Sequence, residues 1–122
     1  MIVNQTIADA WSQFMVGSDI DVGQFVDALL SIAVRIGPVS GRMLDGSTSV
    51  GIGAEPQLTR ISDIAALTKL RMICARLATV FGTSPYSGAI ERDVEVGGTS
   101  IHFALAFSNH GDDIRFIVTP RV

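Results

Sequence analysis

The stretch IERDVEVGGTSIHFALAF, residues 90–107, decides the fold. Apolar and polar residues alternate with a period of two on either side of Gly97-Gly98, a dipeptide suited to a two-residue turn that needs positive φ. Counting outward from that turn predicts Val96 opposite Thr99, Val94 opposite Ile101, Asp93 opposite His102 and Ile90 opposite Leu105. A third strand, Ile114 to Val118, follows Asn109-His110-Gly111-Asp112. Closing that second hairpin around His110-Gly111 predicts Phe107 opposite Ile114, Leu105 opposite Phe116 and Phe103 opposite Val118. One face of the meander then carries Ile101, Phe103, Leu105, Phe107, Ile114, Phe116 and Val118 and needs helical cover. The other carries Glu91, Asp93, Glu95, Ser100, His102, Ala104, Ala106, Arg115 and Ile117, which water can wet.

Upstream the period changes to 3.6. Leu67, Leu70, Cys74, Leu77 and Phe81 step by three and four within a segment from about Arg60 to Phe81 that contains no Gly or Pro, with Thr59 or Ser62 available as N-cap and Gly82 as terminator. Val22, Phe25, Val26, Leu29, Ala33 and Ile36 make an earlier helix ending at Gly37-Pro38. Leu30, Ile32 and Val34 lie off its stripe, so it is apolar on most sides and expected to be central. Ile7, Ala10, Trp11 and Phe14 make a first, short amphipathic helix. Between Pro38 and Pro56 the glycines obscure the pattern, but Asp45-Gly46 suits a hairpin turn between strands Val39–Leu44 and Ser47–Ile52. The expected fold is α+β: a two-layer domain over residues 1–122, with N-terminal helices and one long helix packed on one face of an antiparallel sheet that ends in a three-stranded meander.

Composition narrows the function classes. Of 122 residues 48% are hydrophobic and 17% charged, enough apolar surface to offset the entropy of ordering, so a disordered chain is excluded. The net charge is −3, and the nine basic residues are scattered, which argues against a nucleic-acid partner. A single cysteine, Cys74, permits no internal disulfide, and with two histidines there is no structural zinc set. The start of the chain lacks a secretion signal and the densest apolar run, Ala28 to Val34, is too short to span a bilayer, so the expectation is a cytoplasmic protein with no membrane partner. Apolar residues left over once one small core is filled predict a homo-oligomer.

The candidate chemistry is sparse. Asp93 opposite His102 supplies a carboxylate that can orient an imidazole and raise its basicity, the arrangement a general base needs, and these two are the candidate catalytic residues. Glu91 and Ser100 beside them, with Tyr86 at the junction of the long helix and the sheet, are candidate ligand-binding residues. A wetted sheet face carries acids, a serine and a histidine without any catalytic purpose too. Asn109-His110-Gly111-Asp112-Asp113 has the composition of a divalent-ion loop, but turn chemistry explains each residue, so no metal is expected. Val50-Gly51-Ile52-Gly53 begins like a dinucleotide fingerprint and then fails at Pro56. Gly46-Ser47-Thr48-Ser49 lacks the lysine of a phosphate loop. No cofactor is expected, and Cys74 on an apolar stripe reads as a small hydrophobe.

The order of elements resembles two small-domain architectures: the cone of the nuclear-transport-factor-like proteins, which implies a small-molecule pocket, and the profilin-like roadblock and longin platforms, which imply a dimeric interaction surface. No motif carries either resemblance, and three strands after the last helix are fewer than the cone usually has. The expected function is a non-enzymatic, self-associating binding or assembly module whose further partner is a protein or small molecule. The alternative is a small cofactor-independent isomerase or hydrolase with a pocket between sheet and helices.

Overall fold

A computed structural model describes residues 22–44, 49–54, 58–62, 65–84, 86–111 and 113–121. The proposed helix around Trp11 and the Asp45-Gly46 turn lie outside these residues. The described chain runs α1 (Val22–Ile36), β1 (Val39–Leu44), β2 (Ser49–Ala54), β3 (Thr59–Ser62), α2 (Ala66–Phe81), β4 (Ser87–Val96), β5 (Thr99–His110) and β6 (Asp113–Pro120). The strands form one antiparallel sheet in the order β3-β2-β1-β6-β5-β4, with β1 beside β6 and the meander completing one half. Both helices pack on one face, giving the expected two-layer α+β architecture.

The period-3.6 stripe becomes the core. Leu70, Cys74, Leu77 and Phe81 of α2 are completely buried, with Ile73 beside them, and each large apolar side chain removed from water contributes roughly 1.5–3 kcal/mol. Facing them are Phe103, Leu105, Phe107, Ile114, Phe116 and Val118, the face that the strand alternation marks as apolar. Phe81 meets Phe103 edge to face at 6.3 Å between ring centroids, a favoured aromatic geometry. In α1 the buried face is Phe25, Val26, Leu29, Leu30, Ile32 and Ala33, so Leu30 and Ile32 add to the expected stripe, while Gln24, Asp27, Ser31 and Arg35 keep one side in solvent. Ile36, on the predicted stripe, stays exposed with Val34.

Helix ends follow local chemistry at one terminus only. Gly82 caps α2 in the left-handed region at φ +70°, and Arg92 reaches across from β4 so closely that its Nη1 lies 2.5 Å from where a Cβ on Gly82 would stand. A cation there is favoured by the helix dipole. At the other end α2 begins at Ala66, with Ala65 at the N-cap position and no side-chain cap, six residues later than the Arg60 expected from the sequence. Thr59–Ser62 is instead the edge strand β3, with Ile61 opposite Val50 and Arg60 opposite Gly51. The alternation of β-branched Thr59 and Ile61 suits a strand, and the edge of β2 satisfies backbone groups that a free helical turn would leave to water.

Two registers also differ from expectation. Phe107 lies opposite Phe116, Leu105 opposite Val118 and Asn109 opposite Ile114, a shift of two residues from the predicted pairing because the turn follows His110 rather than enclosing it. A shift of two leaves every side chain on its predicted face. Likewise Leu44 lies opposite Ser49, where a two-residue Asp45-Gly46 turn would set it opposite Ser47. The first hairpin matches its prediction at every pair, from Val96 with Thr99 to Ile90 with Leu105.

Candidate functional site

The face of the sheet opposite the two described helices holds Glu91, Asp93, Ser100 and His102. The Gly97-Gly98 turn, with φ of 58° and 83°, sets Asp93 opposite His102, and side chains at directly opposed positions on one face are close enough to bond. His102 Nδ1 and Asp93 Oδ1 are 2.6 Å apart. Glu91, which opposes Ala104, reaches diagonally to the other ring nitrogen, with Oε1 3.1 Å from His102 Nε2. The diagonal position is within range of a glutamate, so the spacing Glu91-x-Asp93 was the sequence signal for a two-sided clasp. The hydrogen bond to Asp93, and after it that to Glu91, raises the His102 pKa above its ordinary 6.5, because both carboxylates favour the charged ring.

That geometry has a chemical consequence. The two contacts favour the protonated ring, in which both N–H groups donate, one to each carboxylate, and no lone pair is left to accept a proton. His102 acts as a base only once the ring has lost its Nε2 proton, and Nε2 and the Glu91 carboxylate, then both acceptors, separate. The side chains of His102, Glu91 and Asp93 are 43%, 58% and 67% exposed, so the clasp works in water rather than in a closed cavity.

The other candidates separate. Ser100 is exposed on the same face, opposite Glu95. Tyr86 lies beyond the far end of β4, about 17 Å along the strand from Glu91, and lines a shallow depression with Thr68, Arg71, Met72, Ala75 and Asn109 on the helical side. It does not join Glu91 and Ser100 in one site. Cys74 is buried with its Sγ near the carbonyls of Ser108 and Arg115, and burial pushes its thiol up to about 12, which makes it inert packing. Arg71 donates from Nη2 to the carbonyl of Gly111, and Asn109 Nδ2 donates to the Arg71 carbonyl, so Arg71 ties α2 to the β5–β6 turn. Gly111 takes φ +57° in that turn, and among the described residues no group of three or more His, Cys, Asp or Glu is placed to hold a metal ion.

Two shallow grooves cross the same outer face. One, of about 370 Å³, is lined by Ser40, Arg42, Ala106, Arg115 and Ile117. The next, of about 460 Å³, runs past Ala89, Glu91, Ala104, Ile117, Thr119 and Arg121. They share Ala106 and Ile117, so the centre of the face is small and apolar while its two ends are charged. Among the described residues no helix is long and apolar enough to cross a membrane.

The titration of His102 tests the clasp. An NMR titration should give His102 a pKa above 6.5, with His110 as the only other imidazole in the chain. Asp93→Asn should lower it most and Glu91→Gln less, and the double variant should return it to the ordinary value. Asp93→Asn alone therefore leaves part of the rise, since Glu91 remains. Because the folded-state pKa is the raised one, the clasp stabilises the fold fully below pH 6.5 and loses its effect as pH climbs through the folded pKa. Identical titrations in all four proteins would show that no clasp exists in solution.

No model of a known protein family matches the chain, and no curated protein matches it either.

Proposed function

We propose that this protein is a non-enzymatic, self-associating binding or assembly module that works through the outer face of its sheet. One observation carries the proposal: among the described residues both helices cover the same side, and the other side presents a contiguous small apolar centre of Ala89, Ala104, Ala106 and Ile117. The layer between sheet and helices is filled by fully buried Leu70, Leu77, Phe81 and Phe103, which leaves little room for a substrate at that level. An element order shared with protein-interaction platforms agrees with this function by analogy only. Sedimentation velocity at micromolar concentration should give at least a dimer. A monomer throughout that range would remove the proposal.

A second function, a small cofactor-independent isomerase or hydrolase, is favoured by the 2.6 Å contact between Asp93 and His102. Under it these two residues carry the proton and Glu91 must vacate Nε2 first. Glu91→Gln would then lower the pH at which His102 acts as a base, and turnover of any substrate would fall with Asp93→Asn far more than with Ser100→Ala. An activity indifferent to His102→Gln would exclude it.

A further inference from the structure

The outer face is not uniformly charged. Arg42 of β1 lies directly opposite Arg115 of β6, and both are exposed. Like charges set directly opposite one another across two strands repel, so the pair is a cost to the isolated chain. At the other end Glu91, Asp93 and Glu95 line the same side of edge strand β4, all exposed. Asp113 offsets the first end by holding Arg115 Nε at 3.2 Å, and Arg121 and His102 offset the second, but the first end stays positive and the second negative.

The spacing of these ends relates them to the apolar centre. Arg115 opposes Ser108, whereas Asp93 opposes His102, so the ends are separated by six residues of β5, about 20 Å. From β1 to β4 is three strand spacings, about 14 Å. The midpoint falls at Ala104 and Ala106 of β5 beside Ile117 and Thr119 of β6, which are register partners. A two-fold axis lying between two such faces over that point, perpendicular to the line that joins the ends, sets the positive end of each copy against the negative end of the other, which is the condition for a surface to be complementary to itself.

We infer that two copies of the chain associate face to face through this surface, about a two-fold axis over Ala104, Ala106 and Ile117, with Arg42 and Arg115 of each copy against Glu91, Asp93 and Glu95 of the other. The inference rests on the self-associating function proposed above and specifies its surface. The small side chains at the centre let the two sheets approach closely, and the charged ends set the orientation and exclude the arrangement in which like ends meet. It also accounts for the Arg42–Arg115 pair, whose repulsion within one chain is relieved by carboxylates from outside.

Two charge-reversed variants test it, Arg42→Glu/Arg115→Glu and Glu91→Lys/Glu95→Lys. The second spares Asp93, so the shorter of the two His102 contacts is kept. In sedimentation velocity the wild type should be dimeric, each variant alone should dissociate by roughly tenfold or more in Kd, and an equimolar mixture should form a heterodimer in which a predominantly acidic face meets a predominantly basic one. High salt should weaken the wild-type dimer and the heterodimer alike. Circular dichroism checks that each variant is folded, and Arg42→Gln/Arg115→Gln, which removes charge without reversing it, serves if either is not, with a smaller loss of affinity expected. A wild type that dimerises with variants that dimerise equally well would overturn the surface and leave self-association standing. Variants that dissociate alone but do not recover on mixing would overturn the two-fold pairing. A monomeric wild type would remove both.

Discussion

Leu70→Ala or Leu77→Ala is expected to destabilise the protein by ~2–5 kcal/mol, the range for removing a buried leucine and leaving a cavity. Both residues are completely buried on the face of α2 that meets the sheet, among Ile73, Cys74 and Phe81, and a close-packed layer on both sides limits how far the site can collapse. Arg76→Ala on the exposed side should change stability by no more than ~0.5 kcal/mol. Arg71→Ala should fall between them, at about 1 kcal/mol, because it removes the bond to the Gly111 carbonyl. Urea denaturation followed by circular dichroism measures all four. Similar losses at Leu77 and Arg76 would mean that the helix presents a different face to the sheet.

The second large effect comes from adding atoms rather than removing them. Gly41 lies opposite Phe116 on the buried face of β1, and a Cβ built there would stand 2.5 Å from Phe116 Cε2 and 3.0 Å from Cζ. A glycine in a strand is ordinarily a weakness, and here it is the space that the phenylalanine ring occupies. Gly41→Val should therefore cost about 1–3 kcal/mol despite the better strand propensity of valine, since the ring has to leave its place in a filled core. Phe116→Leu should cost stability alone yet recover part of the loss when combined with Gly41→Val. A double-mutant cycle with an interaction energy near zero would show that the two positions do not compete for the same volume.

These effects separate what was legible along the chain from what was not. The clearest signals were local. The Gly97-Gly98 turn sets its own register, so every pair of the first hairpin, Asp93 with His102 included, could be counted from two glycines. The stripe from Leu70 to Phe81 needed only the helical period, and Gly82 needed only the left-handed end of a helix. The role of Glu91 was half visible. Its closeness to the pair follows from the strand, but its reach to Nε2 depends on a diagonal that alternation alone does not reveal.

What the chain could not announce was decided by partners distant in sequence. A two-residue slip of the β5–β6 register leaves both faces unchanged, so hydrophobic alternation is blind to it, and the choice falls to the turn and to how Phe116 fits against Gly41 of a third strand. Thr59–Ser62 is too short to declare a period. It is a strand only because β2, ten residues earlier, offers an open edge. The pairing of β1 with β6, which sets Arg42 against Arg115 and fixes how far both stand from the acids of β4, joins residues more than seventy positions apart. Period and turn chemistry act over a few residues and determine the elements and their buried faces. Strand order and register depend on which edges remain unpaired and which volumes remain unfilled, and those exist only once the tertiary structure has formed.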